Sequence, residues 1–145
     1  MAYDPDNVFA KILRGEADAH VVLDEEHCLA FMDLMPQSPG HTLIVPREPA
    51  ESIFDLGTTA LAQSIATTQR VARAVRAAFD PPGMMIVQLN GADAGQTVFH
   101  IHFHVIPRYP GEGLTLHARA PAAPAQLRAH AARIRAELES ARPTN

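Results

Sequence analysis

The chain has 145 residues, 47% of them hydrophobic, with 12 Lys and Arg against 16 Asp and Glu and a formal net charge of −4. That is enough for one domain with a real core, and the modest acidic balance gives no footing for a nucleic-acid or membrane-surface patch. No apolar run is long enough to span a bilayer, the polar start MAYDPDNVF has the wrong chemistry for a signal or transit peptide, and a lone cysteine, Cys28, fits a reducing compartment, so a cytoplasmic location is expected.

In chain order, NVFAKILRGE places Val8, Phe9, Ile12 and Leu13 at helical spacing, with Gly15 as a stop. AHVVLD and CLAFMDL are short apolar runs on either side of DEEH and predict a hairpin. Cys28, among apolar neighbours, is expected in the core. The cluster PQSPGH is a turn, and TLIVP after it is a β-branched strand closed by Pro46. A long helix is predicted over 58–79, with Thr58 or Thr59 as cap and DPPG as terminator. Leu61, Ile65, Thr68, Ala72, Val75 and Phe79 form its apolar stripe, and Arg70 and Arg73 its solvated side. MMIVQL is a further strand, then the loop NGADAGQT, then a strand VFHIHFHVIP closed by Pro107. A Pro/Ala stretch, ARAPAAP, leads to an amphipathic helix over 125–141 with Leu127, Ala131, Ile134 and Leu138 on one stripe. This order predicts an α+β fold in which an antiparallel sheet is covered on one side by the long helix, plus a C-terminal helix.

The run His100-Ile101-His102-Phe103-His104-Val105-Ile106 puts three imidazoles at period two, with apolar residues between them. On a strand they share one face, neighbouring Cα atoms about 6.5–7 Å apart, while Ile101, Phe103 and Val105 pack the other way. Each ring brings two nitrogens that need partners, so three in register point to chemistry. One metal ion would have to bridge outer Cα atoms roughly 13 Å apart. A nucleophilic imidazole acting on phosphorus, with its neighbours orienting it and moving protons, asks for less. The preceding loop suits that chemistry: Gly91 and Gly95 let backbone N–H groups approach an anion, and Gln96 and Thr97 add donors. A metalloenzyme built on an i, i+2 histidine pair and a remote ligand is the competing reading.

The pattern His-x-His-x-His followed by two apolar residues resembles the histidine triad (HIT) family. LAFMDLMPQSPGHTLIVP at 29–46 and NGADAGQTVFHIHFHVIPR at 90–108 are similar to blocks of that family, so the resemblance covers about residues 7–108. It implies attack on the α-phosphate of a nucleotide, a covalent nucleotidyl-histidine and then hydrolysis. His102 would be the nucleophile, and His104 would contact the phosphate and leaving group. His100 and His41 would support the nucleophile. Asp33 would accept from the ribose hydroxyls, and Phe31 and Leu34 would wall the base. Asn90, Gly95, Gln96 and Thr97 would hold the phosphate. Many bacterial members carry a Cys-x-x-Cys near the start that joins a zinc site; here Asn7 and Ala10 stand at those places, so no metal and no cofactor are expected. Histidine at 104 points to the hydrolase branches. Substrates stay open between nucleoside phosphoramidates and dinucleoside polyphosphates, with a nucleotide-binding regulatory module of little turnover as the alternative function. The partners implied are a small-molecule nucleotide and a second copy of the chain, with no nucleic acid and no membrane. The expected organisation is a HIT domain over 1–115 and a C-terminal extension over 116–145. His20, His27, His117 and His130 match no motif.

Overall fold

The computed structural model describes residues 2–113 and 120–141. The expected boundary at 115/116, His117 and the first residues of the Pro/Ala stretch lie outside the described residues. In chain order the elements are α1 (Val8–Leu13), β1 (Val21–Asp24), β2 (Cys28–Met32), β3 (Thr42–Pro46), α2 (Thr58–Phe79), β4 (Gly83–Val87), a single 3₁₀ turn (Ala92–Ala94), β5 (Phe103–Arg108) and α3 (Pro124–Ser140). The strands form one antiparallel sheet in the order β1-β2-β3-β5-β4. The α+β class read from the sequence is the class observed.

Strand alternation decides which residues meet which helix. Cys28, Ala30 and Met32 of β2, Ile44 of β3, and Phe103 and Val105 of β5 join Val71, Ala74 and Val75 of α2 in the main core. Leu127, Ala131, Ile134 and Leu138 of α3 belong to the same cluster, so the C-terminal helix packs on its own chain, along the stripe predicted for it. Pro124 opens α3 at a position where its missing N–H costs nothing. The opposite face of the sheet also carries apolar packing. Leu29, Phe31, Leu43 and Val45 form a second, smaller cluster with Phe9 and Ile12 of α1.

Two helix details differ from the sequence reading. The buried residues of α2 are Ser64, Thr67, Thr68, Val71, Ala74 and Val75, whereas Ile65 is half exposed. Ser64 and Thr68 can be buried because their hydroxyls bond the carbonyls of Ala60 and Ser64, one turn back, which hydropathy alone does not reveal. The N-cap is Gly57, not a threonine, and its N–H donates to the Glu48 carboxylate at 2.7 Å. Cys28 is buried as expected, with its Sγ 3.6 Å from the Ser64 hydroxyl.

The strand predicted over 98–107 begins only at Phe103. β3 pairs with β5 through Thr42, Leu43 and Ile44 alone, and beyond that point the incoming chain peels off the sheet. Its polar groups are taken up elsewhere: Ile101 N–H donates to the Ala50 carbonyl, and the His100 ring donates to the Pro46 carbonyl. The histidine run therefore straddles the start of β5, with only His104 in the ladder.

The turn before β3 is pinned at Gly40, where φ is +92° and a Cβ would stand 3.0 Å from the Phe79 ring and 3.2 Å from Pro107. Both the left-handed conformation and the crowding oppose a side chain there. Gly40→Ala should lower unfolding free energy by about 1–3 kcal/mol. Urea titration of the parent and variant checks this, and an unchanged midpoint would contradict it.

Candidate active site

His102 and His104 line one cavity of about 340 Å³, together with His41, Asp33, Phe31, Leu34, Gly95 and Thr97. Four chain segments supply these residues: the end of β2, the turn into β3, the loop after β4, and the start of β5. Helix α1 closes the apolar end with Val8, Phe9 and Ile12, and the Phe9 ring stands edge-on to the His102 ring at 4.8 Å. The volume lies in the usual range for a small-molecule site.

Each ring nitrogen can be assigned from what it faces. His102 Nδ1 lies 2.7 Å from the His100 carbonyl, which only accepts, so Nδ1 carries the proton and Nε2 is left with its lone pair. The Pro46 carbonyl, 2.7 Å from His100 Nε2, likewise makes that nitrogen a donor; His100 Nδ1 then accepts from the Tyr3 hydroxyl at 2.6 Å. At His41 the Gln37 N–H points at Nδ1 from 3.0 Å, so the proton sits on Nε2. His41 Nε2–H then donates to His104 Nδ1 at 2.9 Å, which leaves the His104 proton on Nε2. A lone pair on His102 Nε2 and an N–H on His104 Nε2 thus stand on neighbouring rings, whose centroids are 4.9 Å apart.

Burial sets the charge of this cluster. It pushes the pKa of His102 and of His41 down to about 4 and that of His104 to about 3, with mutual repulsion adding to the effect. His100 is lowered for the same first reason. Burial acts oppositely on Asp33, raising its carboxyl to about 6 against the pull of the Met35 N–H, which donates to Oδ1 at 2.9 Å. At neutral pH the imidazoles are uncharged and Asp33 is largely ionised.

The structure does not gather every residue singled out above. His100 is fully buried, and its ring is spent on Tyr3 and Pro46 rather than facing the cavity. Gln96 is also internal: its Oε1 accepts from Gly91 N–H, and its Nε2 donates to the Glu51 and Val98 carbonyls. Asn90 accepts from Ile53 N–H and exchanges hydrogen bonds with Gln88. Both amides brace the loop, and of the loop residues singled out above Gly95 and Thr97 are the ones on the cavity wall. Tyr3, Gln37 and the α1 residues went unread. No motif marks Tyr3 or Gln37, while the amphipathic pattern of α1 gave a buried face without saying what else that face would border.

Two metal arrangements can be tested against these contacts. Asp33, His41 and His104 bring potential ligand atoms within 4.8 Å of one another. A metal on His41 Nε2 would force the proton onto Nδ1, into the Gln37 N–H that already points there, so the geometry opposes that site. At the places of the Cys-x-x-Cys pattern, Asn7 spends its Oδ1 capping α1 and Ala10 offers no ligand. His100 has both nitrogens engaged. The residues present do not fit a zinc ion there.

The HIT domain family matches residues 14–111. Among solved structures, the chain is similar to a HIT-like protein of Bartonella henselae described as involved in cell-cycle regulation. The two are 39% identical with a TM-score of 0.88, over 94% of this chain and 99% of that one. A zinc-bound histidine triad family protein of Mycobacterium smegmatis is 34% identical with a TM-score of 0.82, over 93% and 94%. A hypothetical histidine triad nucleotide-binding protein of Sulfolobus tokodaii is 26% identical with a TM-score of 0.84, over 91% of each.

Neutral burial makes the fold acid-sensitive. His41, His102 and His104 titrate near 6.5 when unfolded but at about 4 or below when folded, so below 6.5 the unfolded chain binds more protons and acid favours unfolding. Asp33 opposes this between 6 and 3.8, one group against three. Tm should therefore fall steadily as pH is lowered from 6.5 toward 4, and thermal melts across that range would expose a flat profile.

Proposed function

The chain belongs to the HIT family, and from that premise we propose that it is a nucleotide hydrolase or transferase working through a covalent nucleotidyl-histidine on His102. The observation that carries the reading is the unprotonated Nε2 of His102 beside the protonated Nε2 of His104, each tautomer set through backbone groups. In the proposed first step His102 Nε2 forms a bond to the α-phosphorus and the bond to the leaving group breaks. The departing atom accepts a hydrogen bond from His104 Nε2–H and takes its proton from water. In the second step water attacks phosphorus, its proton is lost to solvent, and the His102–phosphorus bond breaks to release the nucleotide with His102 neutral again. Splitting one displacement into two suits a neutral nucleophile, which needs no deprotonation before attack.

Supporting parts follow from the cavity. The Asp33 carboxylate can accept from both ribose hydroxyls, and Phe31, Leu34 and the α1 side chains offer the base an apolar slot. Gly95, with φ at +101°, lets the loop backbone approach the phosphate. Phosphoramidates and dinucleoside polyphosphates are the two substrate classes that this chemistry admits. A cytoplasmic location fits the single buried thiol, and no helix among the described residues is long and apolar enough to cross a membrane. We divide the chain functionally into the catalytic HIT domain over 1–115 and an extension over 116–145 whose helix completes the core.

His102→Ala should lower kcat/KM on an adenosine 5′-phosphoramidate by roughly three orders of magnitude or more and abolish an AMP adduct seen by mass spectrometry in the parent. Turnover that survives the substitution would exclude His102 as nucleophile, and AMP binding without turnover in the parent would leave a regulatory nucleotide binder. The pH profile separates two groups. kcat/KM should bend near 6, where Asp33 loses its charge, and again near 4, where His102 gains one. Asp33→Asn should erase the upper bend only; persistence of both bends would remove Asp33 from the role.

A homodimer is the proposed assembly. β4 is an edge strand, bonded to β5 alone, and Ile86 on it and Ile65 on α2 are half exposed. Light scattering should give twice the mass of one chain, reduced to one by Ile86→Asp; a monomeric parent would overturn the proposal.

A further inference from the structure

Asp33 and His41 face each other at the ends of β2 and β3 that border the cavity. The Asp33 N–H donates to the His41 carbonyl at 3.1 Å, continuing the register in which Met32 pairs with Thr42, so one backbone frame holds both residues. Met35 N–H fixes Oδ1 of the carboxylate at 2.9 Å, and Oδ2 stands 3.4 Å from His41 Nε2. That nitrogen carries the proton donated to His104 Nδ1 at 2.9 Å. The His41 side chain is 1% exposed, so water does little to screen the pull of the carboxylate on this proton. One buried N–H therefore lies between two acceptors, Asp33 and His104, and both of them line the cavity.

Resting on the nucleotidyl-histidine reading above, we infer that Asp33 is a positioning residue for His104, acting through His41, so that the sugar held at Asp33 sets the rate of the chemical step as well as the affinity. Without a sugar, the carboxylate draws the His41 proton away from His104. When two ribose hydroxyls donate to the carboxylate, its lone pairs are spent on them and its pull on His41 weakens. The His41 Nε2–H then turns fully to His104 Nδ1. An imidazole that accepts a stronger hydrogen bond at one nitrogen donates better from the other, because hydrogen bonds in a chain polarise one another. His104 Nε2–H is the donor that meets the departing atom in the proposed first step. The sugar thus tunes that donor through a chain of buried contacts, and no proton changes hands along it.

The test uses one amine carried as the 5′-phosphoramidate of adenosine, 2′-deoxyadenosine and 2′,3′-dideoxyadenosine. Single-turnover release of the amine, with the protein in saturating excess, reads the chemical step apart from binding. In the parent the saturated rate should fall roughly five-fold from the ribose to the dideoxyribose substrate, with the 2′-deoxy substrate between them. In Asp33→Asn, and separately in His41→Ala, the three sugars should react at one saturated rate. A carboxylate that only binds the sugar would move the half-saturating concentration and leave the saturated rate alone. The parent also offers a readout without turnover: the His41 Nε2–H proton resonance should shift with adenosine and stay in place with 2′,3′-dideoxyadenosine at equal occupancy. Equal saturated rates for the three sugars in the parent, or a sugar dependence that persists in both variants, would overturn the inference; if His102→Ala still abolishes turnover, the nucleotidyl-histidine reading stands. A parent that cleaves none of the three loses that reading, and the resonance then decides the link from Asp33 to His41 by itself.

Discussion

The His100 carbonyl, held 2.7 Å from His102 Nδ1, is the contact on which the rest of the site depends. It fixes both the orientation of the ring and the position of its proton, and so leaves the other nitrogen bare. A side-chain acceptor could not serve as well, because it would add rotamer freedom or a charge. For that carbonyl to point inward, the chain must leave the sheet just before β5. That departure is anchored by the His100 ring on the Pro46 carbonyl and by Ile101 N–H on Ala50. His100 therefore serves His102 twice: its ring fixes the backbone path, and its own carbonyl takes the proton side of the neighbouring imidazole.

The same logic recurs at the second pair. A backbone N–H, from Gln37, sets His41, and His41 sets His104. Neither tautomer is left to the equilibrium of a free imidazole, and both assignments originate in main-chain groups. Main-chain groups are the least adjustable parts of a fold. Gly40, wedged against Phe79 and Pro107, holds the turn from which His41 projects, so α2 contributes to proton placement without touching the cavity.

Much of this was legible in the sequence, for identifiable reasons. The two Gly-bearing turns and the 3.6-residue stripe of α3 each reflect a local rule that the structure keeps, whereas the period-two histidine run holds in part: His102 and His104 share the cavity and His100 does not. What stayed hidden depended on partners distant in sequence. Tyr3 meets His100 across 97 positions, and nothing local to either residue announces it. The true buried face of α2 was obscured by Ser64, whose hydroxyl is satisfied on its own helix and so passes for an apolar group. The late start of the histidine strand follows from where β3 stops pairing, a property of the sheet rather than of the strand. Gln96 and Asn90 were rightly drawn to the loop, yet their amides are committed to holding its shape.

A site whose histidines are neutral, acting on a phosphate in the proposed reaction, has a consequence for how binding energy is distributed. With no lysine or arginine on the cavity wall among the described residues, attraction for the proposed phosphate comes from N–H dipoles and from neutral imidazole donors. In the proposed reading affinity then comes largely from the apolar slot and from Asp33, both of which suit a nucleoside. The neutral nucleophile fits this arrangement, since a buried imidazole titrating at about 4 is ready to attack at neutral pH without surrendering a proton. Burial thus does two things at once in the proposed reaction: it keeps His102 ready as a nucleophile, and it holds the neighbouring histidines without positive charge.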